Sequence, residues 1–118
     1  MDRIKKIKAK AIRRKARTRS RILGTRERPR LSVFRSNRNI QAQLIDDEHG
    51  HTITSASSKI ISKKGKNKTA AAHELGKFLA EEAKKLNIER AILDRGSYRY
   101  HGRVKALCEG ARAAGLKV

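Results

Sequence analysis

Hydrophobic and polar residues alternate between residues 30 and 58 in a pattern that predicts three β-strands. The strands are expected at 30–35, 39–46 and 51–58, separated by the turn sequences SNRN and DEHG. One face of the first two strands is apolar (Leu31, Val33, Ile40, Ala42 and Leu44), and the other carries Phe34, Gln41 and Gln43. The pattern indicates an antiparallel meander with one apolar face and one polar face that is nearly free of acids.

The second half of the chain has the three- and four-residue spacing of helices. After a basic loop at 63–69, this spacing predicts a helix from a cap at Thr69 to about Asn87. Residues 88–94 form an apolar run that predicts a fourth strand, and a last helix is expected from about Arg103 to Ala114. The apolar helix positions are Ala72, Leu75, Leu79, Ala83 and Leu86, then Val104, Leu107, Cys108 and Ala111.

This order of elements predicts a small α/β domain of the α+β-like kind, β-β-β-α-β-α. The strand–helix–strand crossover requires the fourth strand to join a mixed sheet in parallel with a neighbour. Two helices can then cover the apolar face and leave the polar face open. We expect a basic arm at 1–28, flexible or helical, and a globular domain at 29–118.

The charge of the chain is strongly positive and unevenly spread. The 118 residues carry a net charge of +20, and 36% of them are charged, against about 25% in an average globular protein. Residues 1–30 hold fourteen Lys and Arg and two acids, a local net of +12. Such self-repulsion indicates a polyanionic partner, and nucleic acid is the first candidate. A membrane fits less well, because the sequence shows no spanning apolar stretch, no Trp and no secretory signal.

The N-terminal arm has good helix formers but only a thin apolar stripe. We therefore predict that it is frayed when free and helical when bound to a polyanion. A solvated helix face and a cleaved organellar transit peptide are the alternatives.

The segment DRGSYRYHGRVKAL, residues 94–107, lies between the predicted fourth strand and the last helix. Its arginines and lysine supply charge, its glycines allow an anion to approach the backbone, and its tyrosines can stack on bases. It therefore predicts an anion site with stacking aromatics. The alternative is a loop whose tyrosines cap the core and whose charges are solvated.

Catalysis is poorly supported. The acids Asp46, Asp47, Glu48 and Asp94 could hold Mg²⁺ for a nuclease, but the first three lie in a turn and Asp94 is expected to pair with Arg95. The single cysteine, Cys108, excludes an internal disulfide and fits a small core residue. The histidines show no metal spacing beyond His49 and His51, which a turn explains. We expect no enzyme activity, no cofactor and no metal. The order of elements also matches no common DNA-binding motif. A sheet with an open polar face and an Arg-rich arm suits structured RNA better.

In order along essentially the whole chain, RPRLSVFRSNRNIQAQLIDD, TITSASS, GKNKTAAAHELGKFLAEEAKKLNI and DRGSYRYHGRVKALCEGARAAGL resemble the bacterial-type ribosomal protein L-eighteen family. The resemblance implies a large-subunit protein that binds 5S rRNA and helps attach it to the large-subunit rRNA, beside neighbouring 5S-binding ribosomal proteins. It implies a cytoplasmic ribosome, or an organellar one, and a monomer when free. A nonspecific basic nucleic-acid-binding protein is the alternative.

The resemblance and the charge pattern together give a set of expected RNA-binding residues. The arm and first-strand motif contribute Arg13, Arg14, Lys15, Arg17, Arg19, Arg21, Arg26, Arg28, Arg30, Arg35, Ser36, Asn37 and Arg38. The second strand and the basic loop contribute Gln41, Gln43, Lys63, Lys64, Lys66 and Lys68. The final motif contributes Arg95, Tyr98, Arg99, Tyr100, His101, Gly102 and Arg103. The chain departs from the family at Asn39 and Gln41, where His and Tyr are frequent.

Overall fold

The computed structural model describes residues 3–19, 22–36, 39–58, 67–96 and 98–118. Within them the chain forms three helices and four strands in the order α1, β1, β2, β3, α2, β4, α3. The helices are α1 (Arg3–Arg19), α2 (Lys68–Lys85) and α3 (Arg103–Ala113). The strands are β1 (Arg30–Arg35), β2 (Ile40–Asp46), β3 (His51–Ser57) and β4 (Ile92–Asp94). The predicted mixed α/β class and order of elements are confirmed, with an additional helix in the arm.

The four strands form one sheet in the order β3-β2-β1-β4. The first three strands are antiparallel, whereas β4 runs parallel to β1, with Arg30 opposite Ile92 and Ser32 opposite Asp94. The parallel pair confirms the crossover that the strand–helix–strand order required. Because β1 and β4 run in the same direction, the segments that follow them meet at one end of the sheet.

The core lies between one face of the sheet and the two helices α2 and α3. Leu31, Ile40 and Leu44 are fully buried on the sheet side, as their alternation predicted. The helices approach each other closely at two glycines. A Cβ added to Gly76 would lie 2.0 Å from the Leu107 carbonyl oxygen, and one added to Gly110 would lie 2.0 Å from that of His73. No side chain fits between the helices at these positions, which fixes their separation.

Two boundaries differ from the prediction. The fourth strand was expected at 88–94, but only Ile92–Asp94 pairs with β1, because β1 itself begins after Pro29. The preceding residues instead meet the C-terminal segment, where the Ala91 amide donates to the Lys117 carbonyl at 2.9 Å. The predicted cap at Thr69 is also wrong: Asn67 caps α2, its side chain accepting a hydrogen bond from the Ala70 amide at 2.7 Å. Both residues are good capping types, so the sequence did not distinguish them.

The arm forms helix α1, which exposes Ile4, Ile7 and Ile12 to solvent. Its stability therefore does not come from burial of an apolar face, as the thin stripe in the sequence indicated. Among the described residues, no helix is both long enough and apolar enough to cross a bilayer.

Candidate nucleic-acid interface

The sheet face opposite the helices is polar and is not covered by any of the described helices, and its side chains form rows that run across the strands. In one row Phe34 of β1 pairs with Gln41 of β2, and Gln41 pairs with Ser57 of β3. A second row contains Ser32, Gln43 and Ser55. A groove of about 230 Å³ lies between β2 and β3, lined by both glutamines and both β3 serines. These amide and hydroxyl groups can hydrogen-bond to base edges, riboses or phosphates.

Phe34 is the exception on this polar face, and it was absent from the residues expected to bind. Its ring is 59% exposed, beside the polar rows and one residue before Arg35. An exposed aromatic on a polar sheet is a platform on which an unpaired base can stack. The signal was already in the sequence, because Phe34 occupies a polar-face position in an otherwise alternating strand.

The loop after β4 is attached to the end of β1 by Tyr98. The Tyr98 hydroxyl accepts a hydrogen bond from the Arg35 amide and donates one to the Arg35 carbonyl, both at 3.1 Å. The Arg35 guanidinium lies over the Tyr98 ring, 5.2 Å from its centroid, and Arg103 donates to the Ser36 carbonyl at 2.9 Å. Tyr98 is half-buried against the core and one face of its ring meets an arginine. Its contacts are those of a residue that positions the loop.

Four arginines lie at the end of β1, in the loop after β4 or at the start of α3: Arg35, Arg95, Arg99 and Arg103. Burial lowers the pKa of Arg103, and the nearby charge of Arg35 lowers it further. Two guanidinium groups that repel each other favour the binding of an anion between or beside them. Arg95 donates to the Tyr98 carbonyl at 2.6 Å, whereas the Arg99 and His101 side chains are exposed and form no hydrogen bond to another described residue.

Tyr100 and Gly102 complete the motif in different ways. The Tyr100 hydroxyl accepts a hydrogen bond from Arg112 at 2.7 Å, and its ring is 39% exposed. Gly102 precedes α3 with φ of +57° and contributes no side-chain cap. The first amides of α3 are therefore not covered by a capping side chain at this position.

Arg30 and Arg19 lie in a different environment, an ion-pair network at the junction of the arm and the sheet. Arg30 donates to both carboxylate oxygens of Asp47 at 3.1 Å and to Asp94 at 2.8 Å. Arg19 pairs with Asp47 at 3.1 Å, and the Gly24 amide donates to Asp47 at 2.7 Å. Asp94 therefore pairs with Arg30, so the expected Asp94–Arg95 pair is wrong. Sequence distance hid this contact, because the partners are 64 residues apart.

The pKa values of Asp47 and Arg30 are shifted in the directions that favour their charged forms. The Arg30 hydrogen bonds hold the pKa of Asp47 below its ordinary value, against the effect of burial. Burial tends to lower the pKa of Arg30, but its hydrogen bonds to Asp47 and Asp94 outweigh this and raise it. Because Asp47 and Asp94 share one guanidinium, they do not form an open carboxylate pair for a magnesium ion.

Asp46 and the cysteine also have structural contacts. Asp46 is buried and accepts hydrogen bonds from the Glu48 and His49 amides and from His49 Nδ1, the last at 2.7 Å. That side-chain contact raises the pKa of His49. Burial raises the pKa of Cys108 to about 11, so its thiol remains protonated at neutral pH. Cys108 is a core residue, as its position on the apolar face of the helix predicted.

The other expected contact residues are distributed over the arm, the junction and the helix start. Arg13, Arg14, Lys15 and Arg17 are exposed on α1, and Lys68 is exposed at the start of α2. Arg26 lies 3.5 Å from the Leu86 carbonyl, and Arg28 is exposed before Pro29. The expected residues Arg21, Asn37, Arg38, Lys63, Lys64 and Lys66 lie outside the described residues.

A basic helical arm joined to a mixed sheet with an open polar face defines a small, strongly basic α/β protein. The family model described as "Ribosomal L18 of archaea, bacteria, mitoch. and chloroplast" matches residues 5–118. The chain belongs to this family of ribosomal proteins, which is not an enzyme family, and the resemblance drawn from its motifs is confirmed.

Curated relatives agree with the family model. The chain is 57% identical over 105 residues to "Large ribosomal subunit protein uL18" of Thermus thermophilus, with 89% of this chain and 92% of the relative covered. It is 54% identical over 110 residues to the protein of that name from Desulforudis audaxviator, with 89% of each covered. The match to the Solibacter usitatus protein of that name is 52% identical over 119 residues and covers 97% of this chain and 98% of the relative.

Proposed function

We propose that the protein is a structural constituent of the large ribosomal subunit that binds 5S rRNA and helps attach it to the large-subunit rRNA. The observation that carries this proposal is the continuity of two surfaces. The open face with Phe34, Gln41 and Gln43 adjoins the end of β1 where Arg35 and Arg103 lie. Polar groups and an exposed ring can read an RNA loop, while the adjacent guanidinium groups bind its phosphates.

The arm has a different role in this proposal. Its exposed basic residues along α1 neutralise phosphates along an RNA groove, which adds affinity without sequence discrimination. Arg19 links the end of α1 to Asp47, so the arm leaves the domain in a defined direction. Arg19 and Arg30 then act by holding the arm and sheet together rather than by binding RNA. The ribosome in question is cytoplasmic, or that of an organelle.

The final motif combines both interpretations that the sequence left open. Tyr98 shapes the loop, since its hydroxyl group is hydrogen-bonded to the Arg35 backbone. Arg99 and His101 are exposed and their side chains form no hydrogen bond to another described residue, so they are available to RNA together with the Arg103 guanidinium. A substitution of Arg99 should therefore change RNA affinity more than thermal stability.

A competition titration tests the proposal. Labelled 5S rRNA bound to the full chain is challenged with an unrelated structured RNA of equal length and with duplex DNA, at two salt concentrations. We expect 5S rRNA to be preferred by orders of magnitude and to keep that preference at the higher salt. Equal competition by all three, with a common collapse at high salt, would instead identify a nonspecific polycation.

Paired variants locate the interface within the same assay. Arg99→Gln combined with Phe34→Ala should weaken 5S rRNA binding. Lys77→Gln combined with Lys85→Gln changes two exposed positions on α2 and should lower the affinity only by the loss of general charge attraction. If both pairs behave alike, the open face is not the binding surface.

A further inference from the structure

A second basic surface lies near the C-terminal segment, at the end of β1 and β4 that is opposite Arg35 and Arg95. Four cationic side chains, Arg28, Arg90, Arg112 and Lys117, line a cleft of about 690 Å³ whose remaining lining is Ala91, Gly115, Leu116 and Val118. We call it the C-terminal cleft. None of its described lining side chains is acidic, although Arg112 donates to the main-chain oxygen of Val118, the last residue of the sequence. Glu27 and Glu89 lie in the neighbouring hollow with Arg28 and Arg90, but no ion pair joins them among the described contacts.

The C-terminal cleft contacts the motif at Tyr100, whose hydroxyl accepts a hydrogen bond from Arg112, but most of its cations lie at the other end of the parallel strands from Arg35 and Arg95. Arg28 and Arg90 precede β1 and β4, whereas Arg35 and Arg95 lie at or beyond their far ends. A strand of the length of β1 extends for roughly 17 Å between its first and last residues. A single phosphate therefore cannot contact both ends, and the two cationic clusters require two separate groups of anions.

The backbone at the cleft is held in place by the fold. The Ala91 amide donates to the Lys117 carbonyl at 2.9 Å and the Lys117 amide to the Glu89 carbonyl at 3.0 Å. Arg112 donates from Nε and Nη2 to the Val118 carbonyl at 3.2 and 3.1 Å. The backbone that carries Arg90 and Lys117 and the side chain of Arg112 are therefore held around one cavity before any ligand binds, which lowers the ordering cost of binding an anion.

The neighbouring aromatic residue favours nucleic acid over an acidic peptide. Arg112 lies over the Tyr100 ring, 5.8 Å from its centroid, and the ring is partly exposed. A phosphate between guanidinium groups, with a base or ribose against an aromatic and aliphatic surface, matches this combination of groups. A peptide rich in carboxylates would bind the cations but would not stack on the aromatic ring.

We propose that the C-terminal cleft is a second RNA-binding site that takes backbone phosphates of an RNA segment other than the one on the open sheet face. The proposal rests on the proposed function for the class of its ligand. One domain would then hold two RNA segments, one at each end of the β1–β4 pair.

The test compares Arg90→Gln/Lys117→Gln with the charge-matched control Lys77→Gln/Lys85→Gln in the full chain. Affinities for 5S rRNA and for the large-subunit rRNA are measured over a series of salt concentrations, and thermal unfolding checks that both variants are folded. Removing one phosphate from the interface lowers the slope of log K against log salt by about 0.7–0.9. We expect the slope of the cleft variant to fall by the equivalent of one or two phosphates for at least one of the two RNAs, and the slope of the control to stay unchanged.

The outcomes separate this inference from the proposed function. If the cleft variant matches its control for both RNAs while Phe34→Ala/Arg99→Gln weakens binding, the cleft is not an RNA site and the proposed function stands. If the cleft variant alone loses affinity, the second site stands and the open face is not the interface. If neither variant loses affinity, neither the cleft nor the open face is the RNA-binding surface, and the competition titration decides separately whether the protein prefers 5S rRNA. Unchanged RNA binding with loss of binding to an acidic peptide would also overturn the RNA assignment.

Discussion

Replacing Phe34 with alanine tests the most specific feature of the open sheet face. The ring is 59% exposed, so less than half of its surface contributes to folding. Full burial of a phenylalanine is worth about 1.5–3 kcal/mol, and the loss from Phe34→Ala should therefore be about 1 kcal/mol of unfolding free energy. The domain is expected to stay folded at room temperature.

The effect on RNA binding should be larger than the effect on stability. Base–aromatic stacking contributes about 1–3 kcal/mol per base, which corresponds to a roughly 5- to 150-fold loss of affinity. Phe34→Tyr keeps the ring and should stay within about threefold of the original affinity. Leu86→Ala removes an exposed apolar side chain at the end of α2, away from the open sheet face, and serves as the control.

Affinity for 5S rRNA is measured by fluorescence anisotropy at fixed salt, and unfolding free energy by urea denaturation. A folded Phe34→Ala protein with unchanged affinity would refute the stacking argument. Equal losses in Phe34→Ala and Phe34→Tyr would also refute it, because the second variant retains the aromatic face.

Three further substitutions test the scaffold. Gly76→Ala should destabilise the domain by about 1–3 kcal/mol in urea denaturation, because its Cβ would collide with the Leu107 carbonyl; a stabilised protein, as helix propensity alone would give, contradicts the close approach. Asp47→Asn should cost roughly 1.5–3 kcal/mol at pH 7, since it weakens hydrogen bonds to a charged group. The pKa of Asp47 is lower in the folded chain than its unfolded value near 4. The charged carboxylate therefore stabilises the fold at any pH above that unfolded pKa, and this stabilisation is lost as the pH falls through the lower folded pKa. Thermal unfolding from pH 7 to pH 2 should therefore show a smaller acid-induced decrease for Asp47→Asn than for the unsubstituted chain, and parallel curves would contradict this. Tyr98→Phe removes two hydrogen bonds to the Arg35 backbone and should cost about 1–2 kcal/mol in urea; an unchanged stability would show that the loop does not depend on them.

The elements with regular spacing were predictable from local physical chemistry. Alternation in β1 and β2 and the three- and four-residue spacing in α2 and α3 each reflect burial on one face, which a sequence displays directly. The start of β4 was not predictable, because a buried strand and a buried connecting segment both show a run of apolar residues in the sequence. The length of β4 is set by its partner, because β1 begins only after Pro29.

The candidate site was predictable in composition but not in the division of roles. Sequence spacing brings Tyr98 and Arg99 into one motif, yet the structure gives Tyr98 a contact with Arg35, 63 residues away, and leaves Arg99 exposed. In the sequence Arg30 resembles any other basic residue of the arm, but in the fold it has two carboxylate partners. Roles of this kind depend on long-range contacts, which the order of residues does not display.

The acids of the chain explain how so strong a positive charge is compatible with a stable fold. Asp46, Asp47 and Asp94 have side chains at most 10% exposed, and each is bound to a cation or a turn inside the scaffold. The lowered pKa values of Asp46 and Asp47 and the raised pKa of Arg30 keep these contacts charged at neutral pH. Asp47 and Asp94 thus join separate segments of the chain, and no acidic side chain is paired with Arg35 or Arg103 at the end of β1 or with the cations of the C-terminal cleft among the described contacts. It follows that neutralising Asp47, the partner of Arg19, should loosen the arm without making the binding surfaces more positive, whereas an acid introduced beside Arg99 should weaken RNA binding without loosening the fold.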